Sequence, residues 1–146
     1  MELMDSGIRV LHAEDDGNVR ELLTSYVSIS YPDIDVDTAA NGREAFDMID
    51  GETYDCIIAD NHMPKLSGVD LIKKVRDESI RVPVVFYTGD KDPKVVAEIE
   101  NAGAEEIYIK GETDCKKLLS DVTKISNEGN SETSNHTSST SKSFSR

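Results

Sequence analysis

The apolar positions of this chain alternate between two periods. Short apolar runs, the mark of strands, are each followed by a stretch in which apolar side chains return every three or four residues, the mark of one helix face. Ile8 to Ala13 is the first run, and Val19, Leu22, Leu23, Tyr26 and Val27 then form a helical stripe. Ile34 to Ala39 reads as a second strand. Asn41, with Glu44 three residues on, has the form of a capping box that opens a helix through Ile49. Tyr54 to Ala59 contains Cys-Ile-Ile-Ala, the continuous run expected of a strand buried on both faces. Ser67 can cap a third helix carrying Leu71, Ile72 and Val75. Val84 to Tyr87 is strongly strand-like. Asp92-Pro93 is a cap followed by proline at the first helical position, and that helix is expected to run to about Asn101 and stop near Gly103. Glu106 to Ile109 reads as a fifth strand, and Leu118, Leu119, Val122 and Ile125 mark a last helix.

Strands and helices in strict alternation predict an α/β fold, a parallel sheet with helices on both faces. Right-handed crossovers leave few topologies open, and ligands in such sheets gather at the carboxyl ends of the strands. Glu14-Asp15-Asp16 follows the first strand, Asp60 the third, Thr88 the fourth and Lys110 the fifth. The second strand ends in Ala39-Ala40 and lends nothing polar. Carboxylates gathered in one cleft repel, at a cost of ~4 kcal/mol for two charges about 4 Å apart at an effective dielectric near 20. Either one is protonated or a cation is present. All-oxygen ligands without His or Cys favour Mg2+, which suits phosphoryl chemistry because it also coordinates phosphate oxygens. Lys110 and the Thr88 hydroxyl then read as a charge partner and a donor for a phosphoryl group. Taken singly, each has a bland reading. Carboxylates favour helix N-termini, a Thr at a strand end can be a cap, and a Lys can be a surface charge.

Charge and composition narrow the classes further. The 146 residues fit one domain and carry 16 basic against 29 acidic side chains, a formal net charge of −13. That balance opposes direct nucleic-acid binding, which needs a basic patch. Cys56 and Cys115 have no metal-like spacing, and Cys56 lies in an apolar run as a core residue would. No signal-peptide pattern opens the chain and no apolar run approaches the roughly 18 residues of a membrane span, so a cytoplasmic protein without a membrane partner is expected. A composition break falls near Ser126. The segment 126–146 is rich in Ser, Thr and Asn with a single large apolar residue, Phe144, and is expected to be a disordered tail behind a domain at 7–125. Asn135-His136-Thr137 matches a glycosylation sequon, read as chance.

These residues resemble the receiver domains of two-component response regulators, including the single-domain chemotaxis type, over about Ile8 to Ile125. Asp60-Asn61-His62-Met63-Pro64-Lys65-Leu66-Ser67-Gly68 looks like the family's Asp-x-x-Met-Pro-x-x-x-Gly loop. Glu14-Asp15 looks like its acidic pair, Thr88-Gly89 its hydroxyl plus small residue, and Gly103-Ala104 and then Lys110 complete the ordered set. The resemblance implies a doubly wound, flavodoxin-like five-stranded sheet in the order 2-1-3-4-5. It implies that Asp60 accepts a phosphoryl group from a phosphohistidine on a sensor histidine kinase or phosphotransfer protein. Asp15 and Asp60 would bind Mg2+, Glu14 through a water, and the His62 backbone carbonyl would add a ligand. Thr88 and Lys110 would hold the phosphoryl oxygens. The helix 4–strand 5–helix 5 face would respond and engage a downstream protein or a second copy. The chain would then be no enzyme, beyond its own phosphotransfer and dephosphorylation.

Two departures stand out. Gly111 follows Lys110 where the family usually has Pro, so that loop should be looser. Ile107 stands at the switch position, three residues before the Lys, where the family carries an aromatic, and alternation points Tyr108 to the other sheet face. His62 and Asp90 lie two residues after Asp60 and Thr88. In the family these positions flank the hydrolytic water, so a His62–Asp90 pair could tune phosphate lifetime. The bland alternative is two exposed, unpaired side chains. Competing classes are weaker. Phosphatases with an aspartate nucleophile need a second Asp where His62 stands. A flavodoxin-like nucleotide binder needs a Gly- or hydroxyl-rich phosphate loop where Glu14-Asp15-Asp16 stands. A degenerate receiver, an interaction module that is never phosphorylated, is the remaining alternative.

Overall fold

The computed structural model describes residues 7–130. The strands are β1 (Ile8–Ala13), β2 (Ile34–Ala39), β3 (Cys56–Ala59), β4 (Val84–Thr88) and β5 (Glu106–Ile109). They alternate with α1 (Gly17–Ser30), α2 (Gly42–Gly51), α3 (Gly68–Asp77), α4 (Pro93–Ala102) and α5 (Cys115–Asn130). All pairings are parallel, and the sheet runs β2-β1-β3-β4-β5, as the resemblance implies. The chain reverses direction across the sheet between β1 and β3, which opens a crevice at their carboxyl ends.

Strand alternation divides the core in two. Leu11, Ile57 and Phe86 face one layer with Ala45 and Phe46 of α2, Leu71, Ile72 and Val75 of α3 and Ile99 of α4. Val10, Ile58, Val85 and Tyr108 face the other, with Leu23 and Val27 of α1 and Leu118, Leu119 and Val122 of α5. The central β3 is buried on both faces, which is why its sequence reads as an unbroken apolar run.

Local chemistry sets the helix ends. Asn41 Oδ1 accepts from the Glu44 N–H at 2.8 Å, and Glu44 Oε1 accepts from the Ala40 N–H at 2.8 Å. The expected capping box therefore closes one residue upstream on its return arm. Ser67 Oγ accepts from the Asp70 N–H at 3.1 Å, and Asp92 Oδ1 from the Lys94 N–H at 2.9 Å. Gly103 ends α4 at φ 104°, a left-handed conformation that glycine adopts without penalty.

Two expectations need correction. Leu22 does not join the buried stripe of α1. It is 64% exposed, because Leu23 and Val27 define the inward line and Leu22 falls one residue, about 100°, away from it. The last helix does not stop at Ile125 but continues to Asn130, and the small Ser126 is buried. The tail boundary therefore moves past Asn130. Its remainder, with the Asn135 sequon and Phe144, lies outside the described residues.

Candidate functional site

The carboxyl ends of β1, β3, β4 and β5 bring together the residues singled out in the sequence. Carboxylate oxygens of Glu14, Asp15 and Asp60 lie within 4.8 Å of one another. Glu14 and Asp60 are buried, while Asp15 is exposed. Lys110 reaches into this group from the end of β5. Its Nζ donates to Glu14 Oε1 at 2.8 Å and to Asp60 Oδ2 at 3.1 Å.

The electrostatics follow from that geometry. Burial raises the Glu14 carboxyl above its ordinary range, and the Lys110 hydrogen bond opposes the shift only in part. Burial works to lower the Lys110 ammonium, but the hydrogen bond to Glu14 and the charge of Asp60 outweigh it, and the net direction is upward. Lys110 bonds two of the three clustered carboxylates, so acidic groups outnumber the ammonium at the crevice. The set is all oxygen, and it fits a hard divalent cation of the Mg2+ type.

Thr88 is fully buried at the end of β4, where its Oγ1 accepts from the Asp90 N–H at 3.2 Å. Its carbonyl accepts from the Lys110 N–H at 2.8 Å, which holds the two phosphoryl-binding candidates side by side. His62 and Asp90 are paired across two loops, with Nε2 to Oδ2 at 2.6 Å. The Asp90 carboxyl is held below its usual range, first by the Asp92 N–H and then by His62. Ile107 packs against the α2–α3–α4 layer, and Tyr108 lies in the opposite layer as alternation requires.

Several positioning residues escaped sequence reasoning. Arg20 donates to the Glu14 backbone carbonyl at 2.7 Å and holds the main chain there, while the Asp16 N–H donates to Glu14 Oε2 at 3.2 Å and orients the side chain. Buried Asn61 accepts the Val69 N–H at 3.0 Å on its side chain and the Gly68 N–H at 3.0 Å on its carbonyl, pinning the loop after Asp60 to the start of α3. A Cβ on Gly68 would sit 2.5 Å from the Asp60 carbonyl oxygen, so only glycine allows that approach. The sole usable signal for Asn61 is its place inside the Asp60–Gly68 motif. Arg20 carries none, because its target is a backbone carbonyl.

This fold and this crevice define a class of signalling domain. Residues 10–123 match the family model for the response regulator receiver domain. The chain belongs to that family, the receiver domains of two-component response regulators. It is 42% identical over 90 residues to a protein-glutamate methylesterase/protein-glutamine glutaminase of Nitrosospira multiformis, covering 61% of this chain and 25% of that one. It is 33% identical over 100 residues to the response regulator MprA of Mycolicibacterium vanbaalenii, covering 68% of this chain and 42% of the relative. The match therefore spans less than half the length of either relative. Among solved structures, the receiver domain of a Francisella response regulator superposes with a TM-score of 0.77 at 25% identity, covering 84% of this chain and 99% of that one. A CheY-like receiver domain protein of Methanospirillum hungatei superposes with a TM-score of 0.79 at 21% identity, covering 87% and 99%, which shows the shared fold. Among the described residues no helix is long and apolar enough to cross a membrane.

Proposed function

We propose that this chain is a phosphoacceptor whose Asp60 takes a phosphoryl group from a phosphohistidine on a sensor histidine kinase or phosphotransfer protein. The observation that carries this reading is the convergence of Glu14, Asp15 and Asp60 within 4.8 Å around the Lys110 ammonium. An Asp60 carboxylate oxygen attacks phosphorus, the phosphorus–nitrogen bond of the donor breaks, and the imidazole leaves with the bonding pair. Lys110 and Thr88 receive the phosphoryl oxygens. Asp15 and Asp60 would hold Mg2+ directly, Glu14 through a water, and His62 through its backbone carbonyl. Held by these residues, Mg2+ would supply positive charge against the incoming phosphoryl group.

The acquired charge switches a protein-binding surface, with the α4–β5–α5 face engaging a downstream protein or a second copy rather than nucleic acid. The chain turns over no outside substrate, and it works in the cytoplasm. Incubation with a small acyl phosphate and Mg2+, followed by intact mass, tests the reading. One phosphoryl group is expected on the parent and none on Asp60→Asn. Equal gain on both would overturn it. The alternative, a receiver that is never phosphorylated, draws on Ile107 and Gly111 and predicts no gain on either.

The His62–Asp90 pair stands where it can order or exclude the water that hydrolyses the acyl phosphate. His62→Ala is expected to change the dephosphorylation rate severalfold at equal initial phosphorylation. An unchanged rate would assign the pair a structural role only.

A further inference from the structure

Tyr87 occupies β4 one residue before Thr88. Alternation turns its side chain to the opposite sheet face, where it packs half-buried against the α1–α5 layer. Lys110 Nζ lies over its ring, 5.9 Å from the centroid, within the range of a cation–π contact. The same ammonium binds Glu14 and Asp60, so the ring of Tyr87 is one contact away from the phosphoacceptor. Tyr87 shares the α1–α5 layer with Cys115, the first residue of α5. Burial first, and then Cys115 and Asp114 among others, push its phenol upward, which agrees with a ring lodged at the start of that helix. Tyr87 is also in register with Tyr108 of β5, whose hydroxyl donates to Asp121 of α5 at 2.7 Å. Two tyrosines on neighbouring strands therefore join the site to α5, on the face opposite Ile107.

We infer that Tyr87 reads the state of Asp60 through Lys110 and passes it to the first turn of α5. This rests on the phosphoacceptor reading. A phosphoryl group brings a charge of about −2 to a position that now holds one carboxylate. Lys110, now divided between Glu14 and Asp60, is drawn toward that group, and its contact with the Tyr87 ring changes. Gly111, at φ 87°, gives the backbone after Lys110 a conformation that side chains disfavour. Ile107 offers no ring to report the change on the other face, so the signal leaves the site through the tyrosine layer.

The test uses the full chain with its five tyrosines replaced by 3-fluorotyrosine, and fluorine NMR before and after phosphorylation by acetyl phosphate with Mg2+. Tyr87→Phe assigns the Tyr87 signal, and intact mass verifies the phosphoryl group. The Tyr87 signal is expected to shift while those of Tyr26, Tyr31 and Tyr54 hold. Amide exchange at Cys115–Leu118 is expected to respond to phosphorylation in the parent and in Tyr87→Phe, which keeps the ring. In Tyr87→Leu, phosphorylated to the same extent, that response is lost. A phosphorylated parent with an unmoved Tyr87 signal would overturn the inference, as would a full exchange response in Tyr87→Leu. Absence of any mass gain removes the phosphoacceptor reading itself, and this inference with it.

Discussion

His12 is a buried titratable group that feels the charges of the site. It precedes Glu14 by two residues on β1, is 1% exposed, and its Nδ1 has no hydrogen-bond partner among the described residues. Burial, then the charges of Lys110 and Arg20, lower its pKa from 6.5 to about 3. The folded state therefore refuses a proton that the unfolded chain accepts. The contribution of this group is fully present above pH 6.5 and is lost as pH drops toward 3, with a slope of up to ~1.4 kcal/mol per pH unit. Denaturant unfolding of the parent and His12→Leu, both in chelator, should show the variant losing that part of its acid sensitivity. Parallel curves would place the acid sensitivity elsewhere. The sequence exposed the charged actors, Glu14, Asp15, Asp60 and Lys110, because side chains of that type at strand ends have few other reasons to converge. It hid Arg20, and left Asn61 visible only through its place in the Asp60–Gly68 motif, because both act on backbone groups, which leave no trace in a pattern of residue types.

At the scale of elements, periodicity placed the five strands and five helices of the described residues, and the errors fall on one face of α1 and on the end of α5. Leu22 and Leu23 are adjacent and chemically identical, yet one is 64% and the other 1% exposed. Only the docking of α1 on the sheet separates them. Leu23→Ala is expected to cost roughly 2–5 kcal/mol in urea unfolding, and Leu22→Ala less than about 0.5 kcal/mol beyond propensity. Comparable losses would contradict the assigned orientation. The extension of α5 through Ser126 was concealed by composition. Ser and Asn suggest a loop, but packing of a buried helix face overrides that local preference. Strand alternation, by contrast, is rigid enough to read from sequence. It put Ile107 and Tyr108 on opposite faces, and that separation underlies the route assigned to Tyr87.

At the scale of the whole molecule, the order β2-β1-β3-β4-β5 explains why residues 96 positions apart, Glu14 and Lys110, share a hydrogen bond. The sheet reverses at β1 and β3, and their acidic ends face a common crevice. The strongly acidic chain buries the Glu14 and Asp60 carboxylates there and sets the Lys110 ammonium between them, the arrangement on which the proposed phosphoacceptor role rests. Everything proposed for the crevice turns on which carboxylate is the acceptor. Borohydride reduces an aspartyl phosphate to homoserine, so reduction after acetyl phosphate treatment with Mg2+, followed by peptide mapping, locates the acceptor directly. The account predicts homoserine at position 60 and nowhere else, dependent on Mg2+. Homoserine at another acidic position, or a phosphoryl group found only on hydroxyls of the Ser/Thr-rich segment, would contradict it.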